Sequence, residues 1–215
     1  YSARNYKQKI DSFETIIPTL EEDKKIIAYL RLGNLYKQVE FDSTIIYYQS
    51  ALSLAKYQKN KKLEARAYRY LGIAYKQKAI YDKALEYYNN SLTIYKEIND
   101  KKGEAKLIMN IGNVMKNKGS LLEAFKFYEI SQKIFSEIEY EDGIADNLTN
   151  KGIIYKLQGD FSKALSYYFK AVDIRIRTDN EPDLTRAYNN IANIFSQTKE
   201  YEKSLFYHKK ALDIR

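Results

Sequence analysis

Cysteine and tryptophan are absent from the 215 residues, and histidine occurs once. Without thiols there is no disulfide and no thiolate nucleophile, and a single histidine cannot build a Cys/His zinc cluster. The missing cysteine fits the cytosol and an exported domain equally, so it leaves the compartment open. Two prolines and eight glycines are few for this length, which argues against turn-rich sheets and disordered linkers. No stretch approaches a continuous apolar span, so no membrane contact is expected. No glycine-rich phosphate loop occurs. The acidic run from Glu137 to Asp142 lacks the alternating ligands and central glycine of a calcium loop and reads as a solvated turn. With no nucleophile, acid–base pair, metal set or cofactor cradle, the chain is expected to be non-catalytic, with no cofactor and no metal.

What the sequence does have is a repeat. A small residue recurs at Gly33, Gly72, Gly112, Gly152 and Ala192, and a second motif starts at Phe41, Tyr81, Leu121, Phe161 and Tyr201. The period is 40 residues, with one residue missing in the first turn. Each unit reads as a helix, a tight turn and a helix. Self-similarity at such a period signals a solenoid, in which units bury their apolar faces only by stacking. Before the first unit, Tyr6, Ile10, Phe13 and Ile17 share a face of a leading helix that Pro18 limits. The expectation is one domain over 1–215, with a leading helix at 1–20 and repeats at about 21–60, 61–100, 101–140, 141–180 and 181–215. Links are expected at 58–62, 99–103, 140–143 and 178–183, all rich in turn formers. Apolar Leu205, Leu212 and Ile214 run to the end of the last helix, so a further covering helix or self-association through that end is expected.

Within the first helices Tyr68, Leu71, Gly72 and Tyr75 share a packing face. A mid-helix glycine costs about 1 kcal/mol relative to alanine, so its recurrence predicts a neighbouring helix too close for a side chain, at Ala84, Ala124, Ala164 and Ser204. Of the 22 tyrosines, Tyr48, Tyr88, Tyr128 and Tyr168 occupy one equivalent place, where a ring packs between helices and its hydroxyl finds a backbone carbonyl or water. His208 falls at the same place in the last unit and reads as structural. Asn89 and Asn147 match glycosylation acceptors but lie in predicted helices.

These residues resemble the tetratricopeptide repeat, whose consensus has an aromatic, Leu-Gly and an aromatic in the first helix, then Ala, an aromatic and Ala in the second. The match covers about residues 21–215. It is strongest at Tyr68, Leu71, Gly72, Tyr75, Ala84 and Tyr88, and at Gly152, Tyr155, Ala164, Tyr168 and Ala171. The closing proline is absent, and Lys151, Ala192 and Thr44 depart from the pattern. The resemblance implies an all-α, right-handed α-solenoid of helix-turn-helix repeats. The long period, against about 34 for the standard repeat, is similar to the branch containing kinesin light chains and bacterial peptide-sensing regulators. The run Gly159–Arg175 resembles the sensor halves of Bacteroidetes-type histidine kinases, which implies a bacterial signalling protein with these repeats in the cytoplasm or, in a membrane kinase, the periplasm.

Stepping through the first helices at i, i+4, i+7 and i+11 traces a stripe that is read as lying opposite the packing face. It comprises Ile27, Arg31, Asn34 and Gln38; Arg66, Tyr70, Ile73 and Gln77; Lys106, Asn110, Asn113 and Asn117; Asp146, Asn150, Ile153 and Leu157; and Arg186, Asn190, Asn193 and Gln197. Seven of the 15 asparagines fall on these 20 positions, although asparagine is a poor helix former. An amide both donates and accepts, and so can pair with the backbone of an extended peptide of any sequence. The family resemblance implies that these helices line a concave groove. The expected site is Asn34, Arg66, Lys106, Asn110, Asn113, Asn150, Arg186, Asn190 and Asn193, with the three cations favouring an acidic partner; an ordinary solvated face is the alternative. A chaperone-tail carboxylate clamp fits less well, because Met109 stands where a lysine is wanted.

Net charge is +8, with 13 basic and 6 acidic side chains over 61–120 but 4 and 8 over 121–160. A Lys-rich solvated helix face gives the same excess, so a nucleic-acid partner ranks below a protein or peptide, and below an architectural role with a homodimer through a solenoid end.

Overall fold

The computed structural model describes the backbone of residues 3–37 and 39–214, and their side chains from residue 7 onwards. The expected roles of Tyr6 and Gln38, and the chain ends at Tyr1 and Arg215, lie outside what is described. The described elements are helical. Helix α1 (Ala3–Ile16) runs into a short 3₁₀ turn (Ile17–Thr19) containing Pro18. It is followed by α2 (Glu22–Tyr36), α3 (Phe41–Tyr57), α4 (Lys61–Gln77), α5 (Tyr81–Glu97) and α6 (Lys101–Asn117). Then come α7 (Leu121–Glu137), α8 (Glu141–Leu157), α9 (Phe161–Arg177), α10 (Glu181–Gln197) and α11 (Tyr201–Asp213). All five second helices start where the sequence motif restarts. This is an all-α helical-repeat fold of solenoid type.

The turns are tighter than the sequence suggested. Helices α4 and α5 are separated by three residues, Lys78, Ala79 and Ile80, and Ala79 takes a left-handed φ of 58° so that the Ile80 N–H returns to the Tyr75 carbonyl. This is a Schellman-type closure. The links expected at 99–103 and 178–183 shrink likewise, because their turn formers act as helix caps. Asn60, Asp100, Asp160 and Asn180 each accept from an N–H in the following first turn. Gly103 and Pro182 therefore belong to helices, not links.

The chain forms two compact units, Tyr1–Val114 and Met115–Arg215. In the first, Ile26, Leu30, Tyr48, Ala51, Leu63, Ala67 and Leu71 form one buried cluster, and Ile10 and Ile17 of the leading segment join Ala28 and Leu32 in another. Glu14 of α1 accepts from both Tyr36 and Tyr47, at 2.9 and 2.7 Å, which fastens the leading helix to α2 and α3. In the second unit Ala164, Tyr168, Val172, Tyr188, Ile191, Ile194 and Phe195 make the equivalent cluster.

Gly33, Gly72 and Gly152 of the packing face each face a tyrosine ring. A methyl at Gly33 or Gly72 would overlap the ring of Tyr48 or Tyr88, and one at Gly152 would stand 2.6 Å from that of Tyr168. The neighbouring backbone is near as well, with the Ala84 and Ala164 carbonyls at 3.1 and 3.3 Å, but the ring is the first obstacle. The close approach read from the sequence is thus chiefly between glycine and aromatic. In the last unit both partners change together: Ala192 is fully buried in the glycine's place, and His208, in the tyrosine's place, is exposed with Nδ1 3.0 Å from Asn189 Oδ1.

Among the described residues, none of Tyr48, Tyr88 and Tyr168 sends its hydroxyl to a backbone carbonyl. Tyr48 donates to Asn34 Oδ1 at 2.9 Å, whereas the hydroxyls of Tyr88 and Tyr168 have no hydrogen-bond partner. The reason lies one helix away, where the places equivalent to Asn34 hold Ile73 and Ile153. Burial pushes the Tyr168 phenol up to about 12. The other departures from the pattern are accommodated locally. Lys151 is buried, donates to Gln132 Oε1 at 2.9 Å and lies over the Phe125 ring, with burial pushing its pKa down. The Thr44 hydroxyl donates to the Glu40 carbonyl.

A second set of matched places joins each second helix to the next first helix. Ala55 meets Leu63 in the first core, the Tyr95 ring fills the space over Gly103, and the Phe135 ring that over Gly143. The fourth pair is Arg175 with Asp183.

Candidate functional site

The stripe does not lie opposite the packing face. Ile27 and Tyr70 lean on the core of the first unit and Ile153 on that of the second. A first helix inside a stack packs against its own pair and against the preceding repeat, so its apolar arc is wide and the stripe forms the shoulder of that arc. Most stripe residues are accordingly half-buried, with Arg31, Gln77, Asn117, Leu157, Arg186, Asn193 and Gln197 exposed.

The asparagines divide into two kinds. Asn34 is structural: it donates to the Leu30 carbonyl at 3.0 Å and accepts the Tyr48 hydroxyl. Asn110, Asn150 and Asn190 occupy one equivalent place on α6, α8 and α10, are half-buried, and make no side-chain hydrogen bond among the described residues. Asn193 is exposed on α10 and is likewise uncommitted. Lys106 and Asn113, half-buried on α6, have partners within the protein.

The cations divide too. In the first unit Arg66 and Arg69 are half-buried on α4, with the Arg69 guanidinium carbon 4.9 Å from the centroid of the Tyr70 ring. In the second unit Arg186 is three-quarters exposed and paired with Asp183 of its own helix. Behind it Arg175, only 3% exposed, pairs with Asp142 at 2.7 Å, with Asp146, and with Asp183 at 3.4 Å. Asn180 donates to Asp142 at 2.9 Å. The Asn180 bond, with help from Arg175, holds the Asp142 carboxyl below the usual range. Burial pushes Asp146 up, outweighing the same arginine. The acidic run at 137–142 is therefore not simply a solvated turn, because its last residue anchors a buried cation. Sequence reading missed this cluster, and the signal that could have found it is Arg175 itself, standing where earlier repeats place Ala55, Tyr95 and Phe135.

This arrangement offers hydrogen-bond donors, acceptors and positive charge along the helix shoulders. Among the described residues no cluster of His, Asp or Glu is arranged to hold a metal, and no helix is long and apolar enough to cross a membrane.

Comparison with known proteins gives a family model, tetratricopeptide repeat, that matches residues 104–177 and 144–215. No curated protein matches the chain by sequence. Among solved structures it is similar to BtubC (BKLC) from P. vanneervenii, with a TM-score of 0.76 and 20% identity over 100% of this chain and 92% of that one. It is similar to NprR in complex with its cognate peptide NprX, with a TM-score of 0.76 and 20% identity over 96% of this chain and 60% of that one. A Rap protein complexed with Competence and Sporulation Factor gives 0.66 and 15% over 98% and 70%. At these identities the likeness is one of fold.

Proposed function

Because the chain belongs to the tetratricopeptide repeat family, we propose that it is a non-catalytic module that holds an extended peptide segment of a partner, as the sensory or interaction part of a bacterial signal-transduction protein. The observation that carries this reading is the pair Asn150 and Asn190. They stand at the same place on α8 and α10 of one unit, half-buried and without a partner of their own. A partly desolvated amide with free donor and acceptor gains from an incoming backbone that supplies both. NprR, a protein of the same fold, was crystallised with its cognate peptide NprX, which supports the choice of ligand class. Asn193 extends the pair on α10; Asn110 takes the equivalent place on α6 of the first unit, and Asn34 serves Tyr48 instead.

The test is fluorescence anisotropy with a pool of short, uncharged, end-blocked peptides. Each net hydrogen bond adds about 0.5–1.5 kcal/mol, so Asn150→Ala with Asn190→Ala should weaken binding by roughly tenfold or more. Helicity and melting should hold, since alanine is the better helix former. Equal binding by parent and double variant would remove these amides from the site.

The architectural reading has its own observation: Leu205, Phe206 and Leu212 of α11 are all more than half exposed. If that reading holds, Leu205→Lys with Leu212→Lys should convert an associated form to monomer in light scattering, without change in peptide binding.

A further inference from the structure

Arg66 and Arg69 lie one helical turn apart on α4, so their side chains are neighbours on one face. Both are half-buried, yet among the described residues neither forms an ion pair with a carboxylate. Aromatic rings pack beside them, with the Arg69 guanidinium lying over the Tyr70 ring. Tyr70 in turn stacks on Tyr48 at 5.4 Å between centroids, and Tyr48 is fixed by Asn34. The nearby carboxylate of Asp100 is engaged in capping α6 through the Gly103 N–H at 2.8 Å. The Arg69 guanidinium is thus backed by packed rings, and neither arginine has a carboxylate partner among the described residues. The ionisation of Tyr70 reports the same field: burial raises its pKa, but Arg69 and then Arg66 outweigh burial and leave it lowered.

We propose that Arg66 and Arg69, backed by Tyr70, form an anchor for the carboxylate of an aspartate or glutamate in a peptide held on the first unit. This rests on the peptide-binding reading and names the side chain it selects. A guanidinium presents paired N–H donors that match a carboxylate, and phenol rings at its back limit the entropy lost on binding. Half-burial strengthens the pairing relative to open solvent. Among the described residues the second unit has no such arginine pair, because Arg175 is enclosed by three aspartates, Arg177 is paired with Glu141 and Arg186 with Asp183. Selectivity for acid therefore belongs to α4, and Arg186, read from the sequence as a contributor, is self-neutralised.

The experiment compares two pools of short, end-blocked peptides, identical and uncharged except that one carries a central glutamate and the other a central glutamine. The parent should prefer the glutamate pool by about tenfold, the scale of one charge-assisted hydrogen bond in a partly buried site. Arg66→Gln with Arg69→Gln should erase that preference while keeping affinity for the glutamine pool. Arg66→Lys with Arg69→Lys, which keeps the charge and the fold, should retain part of it, and Arg186→Gln all of it. Equal binding of the two pools by the parent, or loss of the preference in Arg186→Gln, would overturn the anchor while leaving the peptide reading intact. Retention of neither pool would overturn both. A single-stranded oligonucleotide displacing the glutamate pool at low salt and not at high salt would show a general polyanion surface instead, and would also overturn it.

Discussion

In the first unit Arg69 lies over the Tyr70 ring and, like Arg66, forms no ion pair among the described residues, whereas in the second Arg175 is enclosed by Asp142, Asp146 and Asp183. The wider charge follows the same division. Residues 1–114 carry 20 basic and 13 acidic side chains, and residues 115–215 carry 16 and 15. An arginine is open to an outside partner only where the fold leaves it without a carboxylate; given three, it becomes part of the core. Burial decides which side of that line a cation falls on, because a charge taken out of water must be paired.

The largest test of this contrast is removal of each arginine. Arg175→Met leaves three carboxylates around an apolar chain and should cost about 3–5 kcal/mol in chemical denaturation. Arg69→Met, which strands no opposite charge, should cost less than about 1 kcal/mol. Transplanting the preceding pair, as Arg175→Phe with Asp183→Gly, should recover part of the loss. Equal costs for the two single variants would show that Arg69 is as structural as Arg175.

Acid should act next. Asp142 is held below the usual carboxyl range, so its contribution is present above the ordinary value and is lost as pH falls through the lowered one. Asp146, pushed up, works the other way: its penalty as an anion is relieved on acidification and offsets part of that loss. The effect should be smaller than deleting Arg175, since Asp183 remains. Below about pH 4, amide exchange should quicken around α8–α10 before α4–α5, and Asp142→Asn should blunt the difference. Simultaneous loosening of both regions would dissolve the comparison.

The smallest effect separates the tyrosines. Tyr48→Phe leaves Asn34 without its donor and should cost about 0.5–1.5 kcal/mol. Tyr168→Phe removes a buried hydroxyl that has no partner and should be neutral or stabilising. A thermal melt of each variant distinguishes them, and an equal loss in both would mean that Tyr168 has a partner.

The fold was legible because helix starts and glycine–tyrosine matches repeat at a fixed spacing, so each copy corroborates the others. Gly72 with Tyr88 and Gly152 with Tyr168 are visible as a constant offset in the sequence. The site was less so. Whether an asparagine is available depends on what stands across from it: Asn34 is taken by Tyr48 and Asn150 by nothing, and no periodicity distinguishes them. The carboxylate partners of Arg175 come from α8 and α10, so the cluster is a property of packing, and only the break in the Ala55, Tyr95, Phe135 series hints at it.

That series bears on how such a chain can change over generations. Each second helix ends with one half of a matched pair and the following repeat opens with the other: Ala55 and Leu63, Tyr95 and Gly103, Phe135 and Gly143, Arg175 and Asp183. Unequal recombination that excised one period between Phe135 and Asp183 would keep every helix intact yet set a benzyl ring against a carboxylate. Excision between Tyr95 and Gly143 would leave an aromatic ring over a glycine, so the array tolerates loss of a period at its middle and resists it where the pair is matched by charge.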